Sequence, residues 1–390
     1  MKILFITRGF PSEKNLMLGN YEAVQAKAIA AKGHEVSVLA IRWRTLVHLF
    51  ECGKLKHRCV DGVHVYECTR VYPFVPGFSF DAMRQFERFF RKKVFYRVLK
   101  NYLQKEQLPD VVHAHIVSYA APAAILKEQY GLPFVITEHW SKANEGNITK
   151  RVEGNAFIYR LADEVVCVSE ALAKSLLENF GVESRVIYNM VENRFFENSS
   201  IEQKIHKGFR FISVGSLLPI KGFDVLIRAF AKIECKDVTL DIVGGGPEKE
   251  KLQSLIDSLN LQGKVRLLGL KKPEEVSNIL ADSDCFVLAS RSETFGIVFI
   301  EAMAKGLPVI ATKCGGPETI VNDCNGVLVP IDNQDSLAKA MNMMIANSQN
   351  YDKMTIRHYC IENYSQDRIA DKIIDIYERA IEGNKQNFKS

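Results

Sequence analysis

No stretch of the 390-residue chain holds anything near the ~20 consecutive apolar residues that a membrane-spanning helix needs. The opening MKILFITRGFP is too short and too soon interrupted for a secretory leader, so a cytoplasmic location is expected. The nine cysteines include no Cys-x-x-Cys pair, and an odd, scattered set fits reduced thiols rather than a disulfide framework. Cys52, His57, Cys59, His64 and Cys68 are zinc-type ligands at a spacing that matches no zinc pattern, and Asp61-Gly62 among them reads as a turn, so no metal site is expected there. A dinucleotide oxidoreductase would carry Gly-x-Gly-x-x-Gly after its first strand. FITRGFPSEKN lacks it, and the later run Gly244-Gly245-Gly246 has Lys249 where the third glycine would stand. Nor is there a bias towards disorder or fibres, with hydrophobic residues at 47% and charged residues at 25%.

Acidic charge is scarce in one place only. The net charge is +5; residues 1–195 hold 27 Lys and Arg against 20 Asp and Glu, and the remainder holds 24 against 26. Residues 84–105 carry eight basic side chains and one acidic, interleaved with Phe86, Phe89, Phe90, Phe95, Tyr96, Leu99, Tyr102 and Leu103. One reading is a helix with its aromatic side on a core and a solvated basic face. The other is a patch for an anionic membrane surface, where each basic side chain contributes ~1 kcal/mol and interfacial aromatics add apolar burial. No nucleic-acid motif accompanies the segment, so nucleic acid is not expected as a partner.

The length exceeds what one hydrophobic core usually supports and points to two domains. Short apolar runs alternate with amphipathic stretches: KILFIT, a helix over 20–32, HEVSVLAI, then DVVHAH, PFVITEH and EVVCVS. The rhythm restarts with FRFISVGS at 209 and continues through VTLDIVGG, KVRLLG, DCFVLAS and LPVIAT. Such alternation implies two doubly wound α/β domains with parallel sheets. The polar segment ENSSIEQKIHKG at 197–208 marks a boundary, giving a first domain over 1–196 and a second over 205–365. Ile369, Ile373, Ile374, Ile376 and Tyr377 predict a terminal amphipathic helix, about 366–385.

In open α/β sheets, ligands bind beyond the carboxyl ends of the strands. The most loaded loop of this kind is SRSETFGIVFIEAMAKGLPVIAT at 290–312, in which Glu293 and Glu301 flank seven residues and Phe295-Gly296 opens a helix. A glycine lets a ligand approach the backbone, and the free N–H groups of a helix start favour an anion such as a diphosphate. A carboxylate on that helix could chelate vicinal ribose hydroxyls. The alternative makes Glu293 a capping acid and Glu301 a solvated helix residue.

Ser-x-x-Glu-x-Phe-Gly, seven residues from glutamate to glutamate, then Glu-Ala-Met-Ala-x-Gly-x-Pro-Val-Ile-Ala, resembles the signature of family-4 retaining glycosyltransferases of the GT-B fold. The resemblance implies two Rossmann-like domains facing each other across a cleft, with the terminal helix crossing back to the first. It implies that Glu301 binds the nucleotide ribose, that Thr294, Phe295, Gly296 and Ile297 hold the diphosphate through backbone amides, and that Glu293 contacts the donor sugar. VGSLLPIKGFDVLIRAF at 214–230 is similar to the family's VGRLxxxKGxxxLIxAF, which puts Lys221 against the diphosphate as the leading catalytic candidate. A fixed ammonium stabilises the charge on a departing nucleoside diphosphate without a metal. No Asp-x-Asp motif is read as available for a metal-dependent alternative, and neither metal nor cofactor is expected.

The chain departs from the family at Ser216, where an arginine usually grips phosphate; Arg291 or another basic group would substitute, or donor affinity is modest. Gly245, in a turn like the family's GxGPxxxxL, and Leu270 after Leu268-Gly269 correspond to the region around the nucleobase. His139, ending PFVITEH, stands where the family places a histidine facing the donor sugar. His113 and His115 rank below it as packing or acceptor-side residues. Gly19 matches a glycine near phosphate and acceptor, and IYNMVENRFF resembles the family's end-of-domain NGVDxxxF, with Met190 replacing glycine. The resulting expectation is a retaining transferase that moves a sugar from a UDP- or GDP-sugar to a lipid-linked glycan or polysaccharide-precursor acceptor. A nucleotide-sugar 2-epimerase of the same fold, or an inactive nucleotide-sugar-binding protein, remains open.

Overall fold

A computed structural model of the chain describes residues 1–12, 18–44, 53–71, 80–139, 156–197 and 207–387, with the backbone alone at 80–89 and 387. The expected boundary segment falls largely outside these residues, at 198–206, as does Cys52. Two compact units form: Met1–Val168 with Ala173–Ile187 and Ile369–Ser390, and Ser169–Leu172 with Tyr188–Arg368.

The first unit is built on β1 (Lys2–Thr7), α1 (Asn20–Ala31), β2 (Glu35–Arg44), β3 (Lys56–Val60), β4 (Val63–Val71), α2 (Phe80–Leu103), β5 (Val111–His115), α3 (Ala121–Tyr130), β6 (Phe134–Glu138), α4 (Ala156–Leu161), β7 (Glu164–Cys167), α5 (Glu170–Phe180) and β8 (Arg185–Val186). Its strands run β3-β4-β2-β1-β5-β6-β7-β8, all parallel except the β3–β4 hairpin. β1, β5 and β6 are buried almost end to end, which is why KILFIT, VVHAH and FVITE read as continuous rather than alternating runs. Asp61 and Gly62 both have positive φ, 48° and 79°, and close the hairpin as a two-residue turn whose twist matches the strands. On it His57 and His64 stack on each other, 5.4 Å apart.

In the described half of α2, Phe95, Val98, Leu99 and Tyr102 are core. Arg91 lies over Trp43 and Phe95 and donates to the Ser118 carbonyl, whereas Lys92, Lys93, Arg97 and Lys100 are exposed. The aromatic side of this half therefore belongs to the core and its basic side to solvent.

The second unit contains β9 (Phe209–Val214), α6 (Phe223–Phe230), β10 (Val238–Val243), α7 (Lys249–Ser258), β11 (Val265–Gly269), α8 (Pro273–Ala281), β12 (Cys285–Leu288), α9 (Ile297–Ala304), β13 (Val309–Thr312), β14 (Gly326–Val329), α10 (Gln334–Asn347) and α11 (Lys353–Tyr364), in a fully parallel sheet ordered β11-β10-β9-β12-β13-β14.

The last helix, α12 (Gln366–Asn387), packs into the first unit from Ile369 onwards. Ile369, Ile373, Ile376, Tyr377 and Ala380 are at most 5% exposed, the i, i+4, i+7, i+8 pattern of a single buried stripe. Each large side chain there contributes ~1.5–3 kcal/mol by burial. The Tyr377 hydroxyl is hydrogen-bonded to His113 Nδ1 (2.7 Å), the Asn384 amide donates to the Gly131 carbonyl (2.7 Å), and Lys32 pairs with Asp371 (2.8 Å).

Candidate functional site

Each sheet has one point where successive connections leave in opposite directions, between β9 and β12 in the second unit and between β1 and β5 in the first. In this architecture ligands usually sit at such a point, beyond the carboxyl ends of the strands.

At the β9/β12 point, the loops after the two strands bring Lys221 and Glu293 together. Lys221 ends the tight turn Pro219–Lys221 and its Nζ donates to Glu293 Oε2 at 2.5 Å; the Ser290 hydroxyl donates to the same oxygen at 3.2 Å. Both side chains are largely withdrawn from water, at 20% and 15% exposure. The Glu293 backbone is clamped by Cys314 and Gly316, its N–H donating to the Cys314 carbonyl (3.2 Å) and its carbonyl accepting from the Gly316 N–H (2.8 Å). Glu293 thus has a fixed orientation and is not a capping acid. The cap of α9 is Gly296 at φ 94°, and a Cβ there would lie 2.6 Å from the buried Phe299 ring. Thr294 and Phe295 are buried; Phe295 stacks on Tyr188 at 5.7 Å, and Ile297 begins the helix, whose Phe299 N–H donates to the Gly296 carbonyl (3.0 Å), so that the N–H groups ahead of it are those a helix start offers an anion.

Glu301, one turn along α9, is half-buried and makes no hydrogen bond to a described residue. Loss of hydration, with Glu192 adding repulsion and Arg194 partly offsetting it, pushes its carboxyl up to about 8. Glu301 is thus half-buried rather than exposed on the helix surface, and a carboxyl so placed can accept from vicinal hydroxyls.

The neighbouring loops are stitched together by main chain. The Leu217 N–H donates to the Gly245 carbonyl (3.0 Å) and the Gly244 N–H to the Gly269 carbonyl (2.9 Å), which sets Gly245 beside Leu270, a side chain 82% exposed. Ser216 is exposed in the same loop. Arg291 is committed elsewhere. It holds Asp224 with two hydrogen bonds (3.0 and 2.9 Å), donates to Asp332 (2.7 Å) and to the Pro219 carbonyl, and has its charge held by those carboxylates. Substitution of the missing arginine by Arg291 is thereby corrected: it braces the Lys221 turn.

At the β1/β5 point of the first unit, His139 lies half-buried just past β6. Its Nε2 shares a hydrogen bond with His115 Nδ1 (3.1 Å), and the rings stack. Burial, with Arg8 adding repulsion, pulls His139 down to about 4, so it is neutral near pH 7 and acts as a hydrogen-bonding group rather than a charge. His113 is fully buried between Tyr377 and Thr137 (2.7 Å each) and is pulled down by burial to about 3, a packing role. Gly19 caps α1 at φ 72°, where a Cβ would meet the Gly9 carbonyl oxygen at 2.0 Å, so its glycine is explained by loop packing alone.

The family model for glycosyltransferase family 4 matches residues 20–194 and that for group 1 glycosyl transferases matches residues 195–359. An uncharacterized glycosyltransferase of Methanocaldococcus jannaschii is 31% identical over 65% of this chain and 70% of its own. The chain belongs to glycosyltransferase family 4. N-acetyl-alpha-D-glucosaminyl L-malate synthase of Bacillus anthracis is 27% identical over 72% of this chain and 77% of its own. HepE from Anabaena, solved with UDP and glucose, superposes with a TM-score of 0.72 at 21% identity, covering 97% of this chain and 99% of that one, a likeness of fold. The protein is accordingly a glycosyltransferase of GT-B type that uses a nucleotide-sugar donor, with two parallel-sheet α/β domains.

Within this glycosyltransferase, Lys221, Glu293, Ser216, Gly245, Leu270, Thr294, Phe295, Gly296, Ile297 and Glu301 all lie in the second unit, and His139 and Gly19 in the first. The sequence reading missed Gly315 and Gly316, which press the Glu293 loop into place; two glycines straight after the β13 run were the available signal. It also passed over Asp282-Ser283-Asp284. This Asp-x-Asp lies ahead of β12, with Asp284 accepting the Arg210 N–H (2.8 Å), at the opposite end of the strand from the loops just described.

Proposed function

We propose that this glycosyltransferase is a retaining, metal-independent enzyme that moves a hexose from a UDP- or GDP-sugar to a glycan or lipid-linked acceptor. The observation that carries the reading is the Lys221–Glu293 pair held at a sheet switch point beside a glycine-capped helix start. In this reading the α9 N–H groups and Lys221 take the diphosphate, Glu301 takes the ribose hydroxyls, and Glu293, released from Lys221, takes hydroxyls of the transferred sugar. His139, kept neutral, supplies a hydrogen bond to that sugar. The Lys221 ammonium stabilises the negative charge that grows on the leaving diphosphate, and that diphosphate deprotonates the acceptor hydroxyl on the face it leaves, so no protein nucleophile is needed. Replacing Lys221 by alanine should lower turnover at least ~100-fold, the scale of losing one preorganised charge-stabilising group.

The test is calorimetric binding of UDP-, GDP- and ADP-sugars with EDTA present, comparing the wild type with Lys221→Ala, followed by turnover. Binding that survives EDTA and is lost in the variant supports the reading and names the base; wild-type turnover in the variant refutes the role of Lys221. Donor incubated without acceptor separates transfer from 2-epimerisation, since only the epimerase converts donor alone.

Peripheral attachment to an anionic membrane face is the companion proposal. The exposed Lys92, Lys93, Arg97 and Lys100 would contribute ~1 kcal/mol each, by charge rather than by aromatic insertion. No described helix is long and apolar enough to cross a membrane. Absence of binding to phosphatidylglycerol vesicles at low salt would remove the proposal.

A further inference from the structure

A cleft of about 350 Å³ opens at the amino ends of β9, β10 and β11, the far end of the second sheet from the donor loops. Five basic side chains line it: Lys207, Arg210, Lys236, Lys264 and Arg266. Sheet register assembles three of them. Arg210 pairs with Thr239, and Lys264, one place before the Leu240–Val265 pair, continues the same row. In-register side chains of parallel strands share a face, so Arg210, Thr239 and Lys264 stand side by side, with Asp241 and Arg266 two residues further on. The alternate residues Val238, Leu240 and Val265 are buried on the other face. Lys207 and Lys236 enter from the segments before β9 and β10. These segments meet at Gly208, at φ 81°, where a Cβ would lie 2.2 Å from the Asp237 carbonyl oxygen.

Both faces of a parallel sheet are normally covered, so a polar row left open to water is a place for an occupant. Charge says of what kind. Arg266 is neutralised by Asp241 through two hydrogen bonds, 2.6 and 2.7 Å long. Among the described residues, the side chains of Lys207, Arg210, Lys236 and Lys264 have no ion-pair or hydrogen-bond partner. These four cations against one further carboxylate in the lining, Asp237, leave an excess of three positive charges. A monoanion would compensate little of that, whereas a phosphomonoester or a diphosphate matches it. Arg210 offers paired N–H groups suited to phosphate oxygens, Thr239 a hydroxyl donor, and the lysines charge. Because β9 is six residues long, ~20 Å at ~3.3 Å per residue, an anion held here is out of reach of the Lys221 turn.

We propose that Lys207, Arg210, Lys236 and Lys264 form a second anion site, separate from the donor loops, for a phosphomonoester or diphosphate group. A soluble metabolite and a lipid headgroup can each present that group. Its binding ties the segments entering β9 and β10 to the edge strand β11, so the second unit gains stability when the site is filled.

The full chain, saturated with UDP so that the donor loops are filled, is titrated with inorganic pyrophosphate by calorimetry at physiological ionic strength. Binding is expected, together with a rise in melting temperature. Affinity should fall about tenfold or more in Arg210→Gln and in Lys264→Gln, the scale of one charge-assisted hydrogen bond. It should stay unchanged in Lys339→Gln, an exposed lysine outside the cleft, and UDP affinity should be kept in all three variants. A second arm sediments the same proteins with phosphatidylcholine vesicles containing phosphatidic acid. Vesicle binding that is lost in Arg210→Gln, with the α2 lysines intact, assigns the phosphate to a lipid; pyrophosphate binding without it assigns a soluble ligand. Binding of neither probe, an equal loss in Lys339→Gln, or affinity unchanged in both cleft variants overturns the proposal. Failure of UDP to bind would strike the donor reading alone, because the cleft variants locate the anion without it.

Discussion

Substituting Gly296 by alanine tests the donor loop through its backbone. The residue sits at φ 94°, where an L side chain costs ~1–2 kcal/mol. The new Cβ would lie 2.6 and 2.9 Å from two carbons of Phe299, which is fully buried and packed edge-on against Phe286 at 5.2 Å. Neither ring has room to retreat, and overpacking of this kind costs ~1–3 kcal/mol. Together the terms give ~2–5 kcal/mol, which for a unit of this size corresponds to a fall in melting temperature of roughly 4–20 °C. The same displacement moves the first N–H groups of α9, so UDP affinity should fall with stability. Scanning calorimetry with and without UDP reads both. A melting temperature within about 1 °C of wild type, with UDP affinity intact, would show that the loop does not depend on this glycine.

Glu301 gives a pH dependence whose sign follows from its raised carboxyl. The folded state keeps the proton up to about 8 while the unfolded chain releases it near 4.5, so stability falls as pH rises between these values. Glu301→Gln should match wild type near pH 4.5 and melt higher at pH 8.5, and the tightening of UDP binding as the wild-type carboxylate forms should be absent from it. Arg291→Ala removes the contacts to Asp224 and Asp332, and a loss of ~1–3 kcal/mol in unfolding free energy is expected by denaturant titration. Because Arg291 braces rather than binds, UDP affinity should drop far less than in Lys221→Ala. Tyr377→Phe strips the buried His113 Nδ1 of its partner and should cost ~1–3 kcal/mol by the same measurement without changing UDP affinity.

Strand and helix identity followed from local patterning because both sheets are parallel and buried on two faces, so KILFIT, FRFISV and CFVL have to be continuous apolar runs. The glutamates seven residues apart, the glycine before a helix, and Lys221 in its turn were equally legible, since the sequence itself places them at strand ends. The two-residue strand β8, short enough to escape any periodicity, was not.

What the chain order could not decide is which long-range groups meet. Arg291 stood in the sequence as one substitute for the arginine missing at Ser216; only the fold brings Asp224 and Asp332 against it. The basic and aromatic residues of 84–105 are evenly interleaved in one dimension, and helix geometry, for the part described, turned the aromatics inward and the lysines outward.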